Sequence, residues 1–176
     1  PMHKCTIYLP LIILVLLNII KSEESLSIGF WNAENLFDLE DDPNKNDNEF
    51  AIGGKKNVDQ EIYDLKIKNC SEVLLDLDVD ILGLCEVENA QVLNDLNIAY
   101  RERDYSIVHY DSPDKRGIDN ALMYDSEHFS VLSSRAIPNK LKNGSSTRDI
   151  LHVIAEYEKE TLHIFINHWP SNYGGK

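Results

Sequence analysis

The spacing of apolar residues changes period several times along the chain, and each change marks an element. Between Gln60 and Leu77, residues Tyr63, Ile67, Cys70, Leu74 and Leu77 recur at steps of four and three, which places them on one face of a helix. Asp78 and Asp80 end that period. Ile81-Leu82-Gly83-Leu84-Cys85 then forms an apolar run without alternation, as expected of a strand buried on both faces. Leu26 to Asn32 predicts an earlier strand, and Ala90 to Leu96 a short helix. Ser106 to Tyr110 and Ala121 to Tyr124 read as strands separated by a loop from Asp111 to Gly117. Ile150 to Tyr157 and Leu162 to Asn167 flank the charged turn Glu158-Lys159-Glu160, the spacing of a hairpin. Strands outnumber helices and a helix separates the first two strands. The expected class is therefore α+β or layered α/β with a mixed sheet.

The N-terminus follows a different rule. Met2-His3-Lys4 precedes an almost wholly apolar run from Cys5 to Ile20, and Lys21-Ser22-Glu23-Glu24 follows it. A basic start, an apolar run shorter than the roughly 18 residues of a membrane span, and a polar exit describe a signal peptide over residues 1–22. An uncleaved anchor helix is the alternative. Either reading exports the remaining domain, residues 23–176, to a secreted or periplasmic location. Once a signal is cleaved, nothing in the sequence ties the domain stably to a membrane.

Composition narrows the picture modestly. The apolar fraction is 43%, ordinary for a folded chain, and the formal net charge of −13 argues against a broad basic nucleic-acid surface. Such a charge is compatible with a groove in which bound cations offset carboxylates. Cys5 belongs to the leader, and Cys70 and Cys85 fall within apolar patterns, so they read as buried thiols rather than a disulfide framework. In the polar loop from Asp38 to Lys56, residues Asp42, Asn44 and Asn46 imitate the start of an EF-hand. Asp47 stands where that motif needs Gly and Gly53 where it needs Glu, so the expectation is a solvated loop. Arg135 to Arg148, with Lys140 and Lys142 and no acid between, reads as a solvated basic loop, and is otherwise the segment best suited to attract an anionic backbone. Asn143-Gly144-Ser145 matches a glycosylation acceptor, relevant only in a eukaryotic secretory pathway.

Polar residues stand at the ends of apolar strands: Asn32, Glu86, and Asn167-His168. Strand ends hold side chains rigidly, and one rim of a sheet is a common place to assemble a site. Four segments occur in order: Trp31-Asn32-Ala33-Glu34-Asn35-Leu36-Phe37, Asp80-Ile81-Leu82-Gly83-Leu84-Cys85-Glu86-Val87, Arg116-Gly117-Ile118-Asp119, and Asn167-His168-Trp169-Pro170-Ser171. Together they resemble the endonuclease/exonuclease/phosphatase family, in particular its bacterial exported members, from about Ser27 to the C-terminus. The resemblance implies an α/β fold, the four-layered sandwich of the deoxyribonuclease I-like type, incomplete here.

It also implies roles. Glu86 would be the metal-binding carboxylate, for Mg²⁺ or else Mn²⁺ or Ca²⁺, with Cys85 in place of the usual Gln before it. Glu88 is a nearby acid better read as a helix entry. Asn32 would bond the site carboxylates or the scissile phosphate, His168 would face the phosphate or protonate the leaving oxygen, and Asn167 would support His168. Arg116 would contact phosphate or simply fix its turn, and Asp119 would orient Arg116 or the loop; Asn120 replaces the usual Val.

The family's Gly-Asp-x-Asn and Ser-Asp-His segments, which bring the water-orienting Asp and a second His, do not occur in these 176 residues. The expectation is thus the N-terminal portion of a metal-dependent phosphodiester hydrolase, an endonuclease acting on nucleic acid, inactive by itself. The alternatives are a phospholipid or inositol phosphate phosphodiesterase of the same fold, disfavoured by polar loops, and a non-catalytic binding module. Oligomeric state is not legible.

Overall fold

The computed structural model describes residues 25–141 and 144–169. The leader expected over 1–22, Lys142 and Asn143, and residues 170–176 lie outside them. The elements run β1 (Ile28–Leu36), α1 (Gln60–Leu77), β2 (Ile81–Val87), α2 (Ala90–Ala99), β3 (Tyr105–His109), β4 (Asp119–Asp125), β5 (Ser130–Ile137), β6 (Ile150–Tyr157) and β7 (Glu160–Ile166). The strands form two sheets. Sheet A has the order β1-β2-β4-β3 and sheet B the order β5-β6-β7.

Sheet A is mixed: β1 runs parallel to β2, with α1 as the crossover, and β4 runs antiparallel to both β2 and β3. Helix α1 begins where the Asp59 carboxylate accepts the Ile62 N–H at 2.9 Å, and it ends at Asp78 in the left-handed region, φ 38°. Its buried residues Tyr63, Ile67, Cys70 and Leu74 are those the spacing indicates; Leu77, at the frayed end, is partly exposed. Asn89 caps α2 by accepting the N–H groups of Gln91 and Val92. Both helices pack on one face of sheet A, against Leu82, Leu84, Ala121 and Met123.

The other face of sheet A meets sheet B. Ile81 and Leu122 pack there with Leu151, Val153, Ala155 and Ile166. Gly83 is required at this seam, since a Cβ on it would sit 3.1 Å from the Phe30 ring and 3.3 Å from Ile166. The β6–β7 hairpin turns on Glu158 and Lys159, both at positive φ (49° and 71°), and Tyr157 pairs with Glu160. A two-residue loop with that geometry is a type I′ turn.

The class is α+β with two stacked sheets and few helices, giving three layers among the described residues. Two local expectations are corrected. Strand β5 was not expected, and its last residues, Arg135–Ile137, fall in the basic segment: a register shift between Val131 and Ser133 breaks its alternation. The loop after β1 is not wholly solvated, because Phe37 stacks on Phe50 at 4.2 Å and Asp47 is 1% exposed. Cys70 and Cys85 are buried free thiols. Among the described residues no helix is long and apolar enough to cross a membrane.

Candidate active site

The end of β1 is bent by two non-glycine residues in the left-handed region, Glu34 (φ 53°) and Asn35 (φ 59°), and β2 by a third, Glu86 (φ 61°). Each such residue costs on the order of 1 kcal/mol or more unless its surroundings fix it. Here they do. Asn32 Oδ1 accepts the Glu34 N–H at 2.8 Å, the Asn35 N–H donates to Glu86 Oε2 at 3.1 Å, and Lys66 of α1 donates to the Ala33 and Glu34 carbonyls. The register shift lies between Cys85 and Val87, which leaves Glu86 as the bulged residue at the rim of sheet A.

His168 reaches this carboxylate from the other sheet. It lies two residues past β7, and its Nε2 is 3.4 Å from Glu86 Oε1, with both side chains largely buried. Beneath it, Arg148 is buried just before β6. Its Nη2 donates to the His168 carbonyl at 3.3 Å, and its Nη1 to Asp114 Oδ2 at 3.1 Å. Asp114 also accepts the Arg116 N–H at 2.9 Å through Oδ1, with Arg116 Nε at 3.5 Å from the same oxygen. One buried carboxylate therefore holds two arginines at the rim. Burial, then the charge of Arg148, lowers the His168 pKa below its ordinary value, and Glu86 opposes that shift.

The structure brings Glu86, His168 and the Arg116 loop together, while the other expected residues bond elsewhere. Asn32 lies opposite Cys85 at the same rim, and its carbonyl oxygen shapes the β1 bulge. Asn167 donates to the Phe165 carbonyl at 3.2 Å, holding the chain just before His168. Asp119 is buried and accepts the Ser112 N–H at 2.9 Å, so it orients the loop rather than Arg116. Glu88 is more than a helix entry. It accepts the Asp38 N–H at 2.6 Å, and burial together with Asp38 and Asp47 pushes its carboxyl up to about 8.

Sequence reasoning missed Asp114 and the buried role of Arg148. The signal available was an arginine directly before an apolar strand, Thr147-Arg148-Asp149-Ile150, but its partner lies 34 residues earlier.

The Glu86 carboxylate suits a hard divalent cation. Its oxygens meet one backbone N–H and one imidazole and no lysine or arginine in the bonds described, and Mg²⁺ needs only one or two protein carboxylates because it retains waters.

Residues 27–176 match the Endonuclease/Exonuclease/phosphatase family. The chain belongs to that family, whose members are hydrolytic phosphoesterases dependent on divalent metals. Among solved structures, it is similar to TDP2 from Caenorhabditis elegans, at 15% identity over 90% of this chain and 40% of that one, with a TM-score of 0.50. It is also similar to an endonuclease/exonuclease/phosphatase from Bacteroides vulgatus, at 15% identity over 78% of this chain and 50% of that one, TM-score 0.48. The chain thus spans half or less of the length of these structures. No curated protein matches it by sequence at a significant level.

Proposed function

We propose that this chain carries one side of the active site of an exported, Mg²⁺-dependent phosphodiester hydrolase acting on nucleic acid. The observation that carries the reading is the contact of Glu86 Oε1 with His168 Nε2 at 3.4 Å, made between two sheets over a buried arginine. A carboxylate that can hold a cation and an imidazole that can move a proton, kept together at one rim, suit phosphoryl transfer.

Glu86 would hold the cation, which when bound supplies Lewis acidity toward the phosphate. His168 Nε2, beside Glu86, would when protonated donate to a phosphate oxygen or to the leaving oxygen, a contribution on the order of 10²–10⁴-fold. Arg116, half exposed beside Asp114, keeps a forked face for a phosphate, while Arg148 holds the His168 backbone in place. Asn32 fixes the bulge that aims Glu86.

A groove of about 310 Å³ opens beside Asn35, lined by the stacked Phe37 and Phe50 and by Lys56 and Lys66. Glu34 and Asp38 line it too, and Lys66 is held by the Ala33 and Glu34 carbonyls. Nucleic acid is preferred to a lipid head group here because the loops around the site are polar. The water-orienting Asp and second His of the family would come from the Gly-Asp-x-Asn and Ser-Asp-His segments, so this chain alone is proposed to be inactive.

Hydrolysis of bis-p-nitrophenyl phosphate and nicking of plasmid DNA test the reading. Turnover with Mg²⁺ is expected from a form extended through those two segments, and loss of at least about 10²-fold from its His168→Ala variant. Full activity after His168→Ala would remove the imidazole from the mechanism.

A further inference from the structure

His109 ends β3 opposite Ala121, and Asp119 precedes Ala121 by two residues on β4. Side chains two apart share a sheet face, so both project to the side of sheet A that Ala121 and Met123 present to the helices. There, His109 Nε2 lies 3.4 Å from Asp119 Oδ2, and His109 Nδ1 lies 4.0 Å from Asp111 Oδ1. One ligand atom from each of the three residues lies within 4.8 Å of the others.

Two facts set this cluster apart from an ordinary acidic surface. The His109 side chain is 6% exposed, and its Nε2 has no hydrogen-bond partner. A buried imidazole nitrogen left without a partner is costly, and it faces the one Asp119 oxygen not used by the Ser112 N–H. The cluster also borders a cavity of about 410 Å³ whose eleven lining residues include seven carboxylates against one lysine. That lysine, Lys45, is turned to the Ser112 and Asp114 carbonyls, at 2.7 and 3.1 Å.

We propose that His109, Asp111 and Asp119 form a second divalent-cation site, separate from Glu86, for a first-row transition ion such as Mn²⁺ or Zn²⁺. One imidazole with two carboxylates is a mixed nitrogen and oxygen set, which suits these ions better than Mg²⁺ or Ca²⁺. His109 supplies one nitrogen, the Nε2 that faces Asp119, and Asp111, 83% exposed on its loop and now nearest Nδ1, would swing toward Nε2 to complete the set. Bound there, the ion ties the loop from Asp111 to Gly117 to the end of sheet A, and so braces Asp114 and Arg116 from behind.

The test is Mn²⁺ binding to the chain, followed by electron paramagnetic resonance of free Mn²⁺ and by broadening of the His109 ring resonances. In Glu86→Gln, which lacks the first site, one Mn²⁺ is expected to remain bound, with affinity reduced at least tenfold when His109→Gln or Asp111→Asn is added. Asp111→Asn lies on an exposed loop and leaves the fold intact. Unchanged Mn²⁺ affinity in both variants would overturn the proposal, as would binding lost only in Glu86→Gln. No Mn²⁺ or Zn²⁺ binding to the unaltered chain, with His109 sharp throughout, would reduce the cluster to a plain His–Asp pair.

Discussion

Sheet A and sheet B have similar strand lengths but different surroundings. The central strands β2 and β4 of sheet A are covered on both faces, by α1 and α2 on one side and by sheet B on the other, whereas Ile28 and Phe30 of the edge strand β1 are more than half exposed; β2 is buried along nearly its whole length. Among the described residues, sheet B is covered on one face only. Its outer face carries a cross-strand row of Arg135, His152 and Phe165, in which the His152 and Phe165 rings stack 4.3 Å apart, and Phe165 and Leu132 are more than half exposed. The difference matches the patterns along the strands: an unbroken apolar run in β2, and alternating burial in β7. It also places the site. Glu86 comes from β2, the buried centre of sheet A, and His168 from sheet B, so their contact depends on how the two sheets seat on each other.

Removing side chains from the buried sheet should have the largest effect. Leu84→Ala opens a cavity between sheet A and the helices, and a loss of about 2–5 kcal/mol is expected in urea unfolding. A loss below about 1 kcal/mol would mean that sheet A is less tightly covered than described. Gly83→Val at the seam should cost about 1–3 kcal/mol by overpacking against Phe30 and Ile166. It should also separate Glu86 from His168, read as a change in the His168 ring shifts; unchanged shifts would uncouple the site from the seam.

The end of sheet A away from the site offers a pH test. Burial disfavours ionisation of Asp80, but bonds from the Ser27 N–H and hydroxyl and from Arg103 outweigh it and hold the carboxyl at about 2. A depressed folded-state pKa contributes stability that is present above about pH 4 and lost as pH falls toward 2. Asp80→Asn should thus cost roughly 1–2 kcal/mol at pH 7 and almost nothing at pH 2. A difference independent of pH would assign the loss to packing. The smallest effect belongs to the open face of sheet B, where Leu132→Ser should change stability by less than about 0.5 kcal/mol. A larger cost would show that this face is covered.

Helix α1 and strands β2, β6 and β7 were legible because their apolar spacing is local and each has one environment along its length. Strand β5 was not, because a bulge at Val131–Ser133 puts its alternation out of step and Ser and Arg dominate it. Within the site, Glu86 and His168 could be named because each closes an apolar strand within a family motif. Asp114 and Arg148 pair across 34 residues, and His109 meets Asp119 only when β3 and β4 come into register. No local spacing encodes those contacts. Glu88 was visible as an acid, but its raised pKa depends on the return of the Asp38–Asp47 loop.

The central claim is that Glu86, seated between the two sheets, carries the metal of a phosphodiester hydrolase. Its most direct test is Mg²⁺-dependent hydrolysis of bis-p-nitrophenyl phosphate by three proteins: this chain, the form extended through Gly-Asp-x-Asn and Ser-Asp-His, and the extended Glu86→Ala variant. The account predicts turnover by the extended form alone, with Glu86→Ala at least about 10³-fold slower and not rescued by excess Mg²⁺. Turnover by the short chain, or an extended Glu86→Ala protein as active as its parent, would contradict it.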